Sequence, residues 1–302
     1  MWQMFELMAL YPTFFYSMVF ILGLLIGSFL NVVIHRLPIM MEREWKAELH
    51  SYFDATEQQN STATNDTVET SEPTTYNLVV PRSACPHCQH QITALENIPV
   101  ISWLIQKGRC TACGASISPR YPLVELLTGA LSLMVASKFG VTIECVAALL
   151  LTWSLICLTF IDADTMLLPD QITLPLMWSG LLLASFGLFL PLQASLYGAA
   201  VGYLSLWSLY WAFKLITGKE GMGYGDFKLL AALGAWVGWA QLPIIIILSS
   251  LVGAVIGITM LKVQQKDQSQ PIPFGPYLAI AGWLTFMYGD WISQQYWSYV
   301  LG

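Results

Sequence analysis

Apolar stretches of roughly membrane-spanning length recur along nearly all of this 302-residue chain, and that pattern decides the fold class. A segment of about 20 apolar residues can leave water only as a helix, because a lipid interior offers no partners to unpaired backbone groups. Eight spans are expected, at about 11–33, 123–139, 143–161, 172–191, 194–215, 227–240, 242–262 and 276–298. The chain therefore reads as an all-α polytopic membrane protein with about eight transmembrane helices. Composition agrees: 11% of residues are charged, against about 25% in soluble domains. The stretch 227–240 is short for a full span, so it is expected to tilt or to line a site. The net charge of -6 argues against a nucleic-acid partner, which needs a basic face.

The basic residues set the orientation. No Lys or Arg precedes the first apolar run and Glu6 does, so a cleavable signal peptide is not expected. With the N-terminus outside, Arg36, Arg43, Lys46, Arg82, Lys107, Arg109, Arg120, Lys214, Lys219, Lys228, Lys262 and Lys266 fall in or beside cytoplasmic loops, and only Lys138 lies at an outer end. Three divisions follow: a first transmembrane helix over 1–34, a cytoplasmic loop domain over 35–122, and a seven-helix membrane domain over 123–302. Within the loop, residues 45–77 are rich in Ser, Thr, Asn, Gln and Glu. They cannot bury a core and are expected to be disordered or loosely packed.

The rest of that loop carries two C-x-x-C knuckles. Cys85 and Cys88 are followed, 22 residues after Cys88, by Cys110 and Cys113. Four thiolates at this spacing can surround Zn²⁺ tetrahedrally, and they leave no open position, so the metal is expected to be structural. His87 and His90 are substitute ligands or surface residues. Gly108 and Gly114 flank the second knuckle. Cys145 and Cys157 lie in apolar spans and read as small buried hydrophobes.

Two carboxylate-bearing stretches join apolar runs. GMGYGD (221–226) places Asp226 behind alternate glycines, which lets a backbone approach it closely. FIDADTMLLPD (160–170) offers Asp162, Asp164 and Asp170. Two carboxylates at a partly dehydrated site can hold one proton between them and so supply both a base and an acid for metal-free hydrolysis. Asp162 and Asp226 are the pair expected to do this. On a continuing helix Asp162 and Asp164 point about 200° apart, so only one of them can face Asp226. Asp170 reads first as the N-cap of the next helix. Lys228 reads as a counter-charge or as a side chain snorkelling to the interface. Residue chemistry alone leaves three readings open: a catalytic pair, two helix-terminating carboxylates at the interface, and a proton- or cation-coupled transporter. A purely structural assembly factor is the remaining non-catalytic alternative. The absence of a mid-span charge on the other side weighs against transport.

Taken together and in order, GSFLNVVIHRLP (27–38), CPHC, ENIPVISWL (96–104), GRC (108–110), CTAC, SPRYPLVE (118–125), FIDADTMLLPD, GMGYGDFKLLAALGAW (221–236) and IPFGPYLAIAG (272–282) resemble the type IV prepilin peptidase family along nearly the whole chain. The G-x-G-D element is shared with presenilin-like intramembrane aspartyl proteases. The resemblance implies a multi-pass enzyme of the bacterial inner membrane with two activities. One cleaves the basic leader of type IV prepilins and of type II secretion pseudopilins on the cytoplasmic side. The other N-methylates the new terminus, typically a phenylalanine, with S-adenosylmethionine. It also implies that the two catalytic aspartates are Asp162 and Asp226. The methyltransferase site is harder to place, since no G-x-G-x-x-G cradle is present. By similarity it belongs to the first loop, with the Gly27–Pro38 segment and Glu96, Asn97 and Gly108 as cofactor candidates. Because all four module cysteines are present, both activities are expected.

Overall fold

The computed structural model describes residues 10–60, 76–264 and 273–301. Helices dominate throughout, and among the described residues only isolated β-bridges occur, with no strand. The long helices are α1 (Pro12–Asn60), α3 (Arg120–Phe139), α4 (Ile143–Thr165), α5 (Asp170–Ser185), α6 (Leu192–Thr217), α7 (Tyr224–Val237), α8 (Leu242–Gln264) and α9 (Gly275–Leu301); a short α2 (Ile101–Ile105) lies between α1 and α3. Among the described residues, five helical segments are long and apolar enough to cross a membrane: Pro12–Phe53, Arg120–Phe139, Ile143–Thr165, Leu192–Thr217 and Trp239–Ile256. The chain divides into two compact units, Met1–Gly23 with Leu127–Gly302, and Leu24–Leu126.

In the larger unit the organising element is α7. It has 14 residues, about 21 Å at 1.5 Å per residue, which is too short to cross a bilayer unaided. It is instead sheathed by protein, with every residue from Asp226 to Trp236 buried except Lys228. Glycines set the closeness of that sheath. A Cβ on either Gly198 of α6 or Gly234 of α7 would run into the other's carbonyl, and one on Gly202 would lie 2.6 Å from the Leu230 carbonyl oxygen. The two backbones therefore touch, as small-residue faces allow inside membranes. On the α5 side, Gly180 makes room for the indole of Trp236, whose Nε1 donates to the Leu176 carbonyl at 2.8 Å. Ser195 of α6 donates to the Ala235 carbonyl at 2.6 Å. Elsewhere Trp283 of α9 donates to Thr152 of α4, and Trp153 to Ser132 of α3. The indoles of Trp236 and Trp283 are buried and that of Trp153 half-buried, and each finds an acceptor within the protein.

The local signals that end the helices place the site. Helix α4 starts at the N-cap Thr142, whose hydroxyl accepts from Cys145 N, and stops where Met166 turns left-handed at φ 55°. Pro169 then opens α5. Helix α6 ends on Gly218 at φ 70°.

In the smaller unit, α1 continues without a break to Asn60. The first part of the polar stretch 45–77 is therefore helical, and its described side chains are exposed. Glu42 and Lys46 pair along this segment at i,i+4, a spacing that supports an exposed helix. Residues 61–75 of that stretch lie outside the described residues. Arg36 is buried, and its guanidinium donates to the Asn77 and Pro81 carbonyls at 3.0 and 2.7 Å. Tyr76 lies under Arg36 and Arg43, with the Arg43 guanidinium 4.1 Å from the ring centre. Arg36 thus ties the returning chain to α1.

Candidate active site and metal centre

Four helix termini meet around two carboxylates in the larger unit. Asp162 lies in the last turn of α4, and Asp226 is the third residue of α7. Both are buried, at 5% and 7% exposure. Asp162 Oδ2 accepts the backbone N–H of Gly275, the first residue of α9, at 2.9 Å. Asp226 reaches back toward the N-cap Gly223, with Oδ2 3.8 Å from where a Cβ of that glycine would lie. That is the posture of the acidic partner in a capping box, at the positive end of a helix dipole. The Leu168 side chain fills the space between the two arms. A Cβ on Gly225 would lie 2.8 Å from it, and one on Gly275 3.1 Å. The two carboxylates are within electrostatic reach of each other. Among the described residues neither has an ion-pair partner.

The rival acids separate by position. Because α4 does continue through Thr165, Asp164 turns to the exposed face while Asp162 turns inward. Asp170 is the first residue of α5 rather than its N-cap. The N-cap is Pro169, so the capping expectation is corrected. The Asp170 carboxylate instead receives Lys228 Nζ at 2.8 and 2.7 Å. Lys228 is thereby committed to Asp170, and this pair clamps the start of α5 to the start of α7.

Gly275 and Glu125 were not singled out in the sequence. The first carried one signal: a glycine before a proline, where an apolar run begins, in IPFGP. Its amide must come close to a carboxylate, and a Cβ there would sit 2.6 Å from Asp162 Oδ2. Glu125 is a lone acid inside the apolar run of α3. It is buried and accepts the Val100 N–H at 2.7 Å. Val100 holds φ 62° and ψ -49°, a conformation that costs a β-branched residue free energy. The Ser28 hydroxyl also hydrogen-bonds to Glu125.

The four cysteines of the smaller unit converge. Their Sγ atoms all lie within 4.8 Å of one another, with Cys85–Cys113 at 3.8 Å and Cys88–Cys110 at 3.9 Å. None is in a disulfide. Zn–S bonds of about 2.3 Å in a tetrahedron give sulfur separations of about 3.8 Å, so the cage has the size a zinc ion needs. The two knuckles repeat one design. Gln89 N donates to Cys85 O and Gly114 N to Cys110 O, each at 2.9 Å; Cys85 N donates to His90 O and Cys110 N to Ala115 O. Gln89 and Gly114 take the matching left-handed turn, at φ 60° and 72°. Among the described residues, His87 and His90 are not part of the cage.

The three residues expected near a cofactor are placed as follows. Glu96 is half-buried and clasps the two knuckles: it accepts from Thr93 N and Oγ1, lies 3.3 Å from His90 Nε2, and takes the Thr111 hydroxyl in a short hydrogen bond. The Thr111 bond first, then those of Thr93, hold its carboxyl well below the usual range, at about 2. Asn97 ends a 3₁₀ turn and is exposed. Gly108, at φ 66°, packs under the Trp103 indole, which would lie 2.8 Å from a Cβ there. Glu96 and Gly108 are thus occupied by the module's own contacts.

Comparison with known proteins covers most of the chain. Residues 21–139 match the family model described as the bacterial peptidase A24 N-terminal domain, and residues 149–258 match the type IV leader peptidase family. The chain is 60% identical over 290 residues to the prepilin leader peptidase/N-methyltransferase of Aeromonas salmonicida (strain A449), covering 96% of each chain. It is 54% identical over 291 residues to the protein of the same name from Pseudomonas aeruginosa strain PAO1, again 96% of each. With that of Dichelobacter nodosus the identity is 53% over 279 residues, 91% of this chain and 92% of the other. No solved structure matches.

Proposed function

The chain belongs to the type IV leader peptidase family and is both a peptidase and a methyltransferase; from that premise we propose that it cleaves prepilin leaders through Asp162 and Asp226. The observation that carries this reading is the pair itself: two buried carboxylates, on the ends of two helices, in mutual electrostatic reach and, among the described residues, with no ion-pair partner. Buried like charges without a counter-ion hold a proton in common, so one carboxyl is ionised while the other is protonated. The ionised carboxylate takes a proton from water as its oxygen attacks the scissile carbonyl. The protonated one hydrogen-bonds the carbonyl oxygen and then helps protonate the leaving amine. The pair titrates as a unit. The Gly275 amide fixes the Asp162 oxygen it binds.

The reading extends to siting and substrate. The chain crosses the bacterial inner membrane with eight helices and its N-terminus outside, which puts the aspartates near the cytoplasmic surface. A basic leader of a type IV prepilin or pseudopilin meets the acids Asp164, Asp170 and Glu220 there. Cys85, Cys88, Cys110 and Cys113 would hold Zn²⁺ as a structural ion, consistent with the size of their cage. The loop domain over 35–122 carries the methyl transfer to the new amino terminus, with S-adenosylmethionine as donor. Glu96, Asn97 and Gly108 are the candidates of that domain for contact with the donor, with Glu96 and Gly108 also held by Thr93, Thr111 and Trp103.

The test is cleavage of a prepilin in proteoliposomes, read by mass, with wild type, Asp162→Asn and Asp226→Asn. Leader loss in wild type alone, with a further ~14 mass units (one methyl group) when S-adenosylmethionine is added, is the expected result. Cleavage surviving either substitution would move the chemistry to another acid, Asp164 first.

A further inference from the structure

The loop domain exposes an apolar face on its short helix α2. Ile101, Leu104 and Ile105 fall at i, i+3 and i+4, on one side of that helix, and are 55%, 61% and 75% exposed. The other side is taken: Trp103 Nε1 donates to the Ile117 carbonyl at 3.1 Å, and its indole covers Gly108. Three large aliphatic side chains together on a surface mark a place that something apolar covers. The depth of α2 says what. Val100, its N-cap, donates to Glu125 Oε2 at 2.7 Å. Glu125 lies inside α3, which is long and apolar enough to span a membrane. It is five residues beyond Arg120, where that span begins, and so about 7.5 Å into it at 1.5 Å per residue. Arg120 and the exposed ring of Tyr121 occupy the first turn of α3, and basic and aromatic residues of this kind mark the level of the bilayer surface. Asn31 of α1 donates to the Tyr121 carbonyl at 3.1 Å, which ties α1 to α3 at that level.

We propose that α2 is an interfacial anchor: Ile101, Leu104 and Ile105 enter the boundary between headgroups and acyl chains of the bilayer that α3 spans, and Lys107 and Arg109 meet anionic headgroups there. The proposal rests on α3 lying in the bilayer and is independent of the catalytic assignment. Interfacial helices bury an apolar face about 5–10 Å into that boundary, the depth at which Glu125 holds Val100. Charge agrees with lipid as the occupant. Lys107 and Arg109 are exposed and follow α2 directly, and α2 itself carries no acid. The negative potential of an anionic lipid surface attracts such residues. The consequence is mechanical. The cysteine module is already tethered through α1 before it and α3 after it. Helix α2 adds a third attachment, which holds the module at the surface instead of letting it swing about two tethers.

The experiment is site-specific photocrosslinking of the full chain in vesicles of phosphatidylethanolamine and phosphatidylglycerol, read by mass after digestion. The photoreactive residue p-benzoylphenylalanine replaces Leu104, Ile105, Leu126 or Gln91, one at a time. All four positions are exposed, so folding is not at stake. Leu126 lies on α3 and reports whether that helix is in lipid; Gln91 is a polar position of the same module. Lipid adducts are expected at Leu104, Ile105 and Leu126, with several-fold less at Gln91. Lys107→Gln should lower the Ile105 adduct on these anionic vesicles, by up to about fivefold, and not on phosphatidylcholine vesicles. A lipid adduct at Leu126 with none at Leu104 and Ile105 overturns the proposal. Adducts from those two positions to peptide instead of lipid also overturn it, and would make the face a docking site for protein. Equal lipid labelling at Gln91 overturns it by making the contact indiscriminate. Failure at Leu126 as well would defeat the premise that α3 lies in the bilayer, and the proposal with it, so the two failures are distinguishable.

Discussion

The amide of Gly275 holds Asp162 Oδ2 at 2.9 Å, and the same glycine has no room for a methyl group, which would sit 2.6 Å from that oxygen. A backbone donor is therefore in place only because a side chain is not. Gly275→Ala must push the carboxylate aside or shift the start of α9. A displacement of that size at a catalytic group costs on the order of 100-fold in rate. The expected outcome is a loss of that order in kcat/KM for leader cleavage, with methylation of a pre-cleaved peptide unchanged. Equal loss of both activities would instead indicate a folding defect.

Asp170 should behave differently from Asp162, although both lie in one eleven-residue stretch. Its pair with Lys228 is partly open to solvent, with side chains 48% and 31% exposed. Pairs of that kind contribute about 0–1 kcal/mol. Asp170→Asn is expected to leave cleavage within about threefold of wild type and to lower the melting temperature by only a few degrees. Loss of activity comparable to Asp162→Asn would bring Asp170 into the catalytic site.

What was legible in the sequence follows from which physical signals are local. Helices α3 to α9 were readable because apolar length is a local property, and so were the four cysteines, because their spacing is. The inward turn of Asp162 and outward turn of Asp164 followed from helical period once α4 was taken to continue. Partners distant in sequence were not legible. Nothing near Asp170 announces Lys228, 58 residues on, and nothing near Val100 announces Glu125. The glycines at 221, 223 and 225 suggested a close approach to Asp226. Two of them make room for Phe213 and Leu168, the third, Gly223, faces Asp226 Oδ2, and a tighter approach, to Asp162, is made by Gly275. The continuation of α1 to Asn60 also escaped a composition argument, since polar content measures the lack of a core and not the lack of a helix.

The cysteine cage predicts a stoichiometry. Wild type purified without chelator should carry about one zinc per chain, measured by atomic absorption. Cys85→Ser should lose it, because three thiolates and a hydroxyl bind zinc far less well. Metal binding of this type is coupled to folding. Chelation is therefore expected to raise hydrogen exchange across 83–117 while leaving α4 and α7 protected. Protection of 83–117 that is indifferent to chelator would mean the module folds without metal.

Glu96 gives that module a pH signature. Its carboxyl is held at about 2 by Thr111, then Thr93 and His90, against an ordinary value of 4.5. A folded-state value below the unfolded one means the stabilisation is fully present above about 4.5 and is lost as pH falls toward 2. The difference in protection of 83–117 between wild type and Glu96→Gln should therefore be constant from neutral pH down to about 5, then narrow. A gap that instead changes between pH 6 and 8 would mean that a group other than the Glu96 carboxyl sets the difference.

Glu125 and Val100 make the last prediction, because two costs oppose each other there. Removing the carboxylate with Glu125→Ala leaves the Val100 N–H without its acceptor, which costs about 1–3 kcal/mol where water cannot reach. It also frees Val100 to leave φ 62°, a conformation that itself costs about 1–3 kcal/mol. The net effect on stability is therefore smaller than the larger of the two contributions, and it should appear as local opening of 97–103 in hydrogen exchange. Val100→Gly separates the two, since glycine occupies that region freely. In the wild-type background it should cost little or stabilise the loop, with lost Val100 packing offset by relieved strain. Combined with Glu125→Ala it should give a non-additive result. Coupling in the double-mutant cycle above about 0.5 kcal/mol is the expected outcome. Strict additivity would mean that the 2.7 Å bond does not hold the valine where it is.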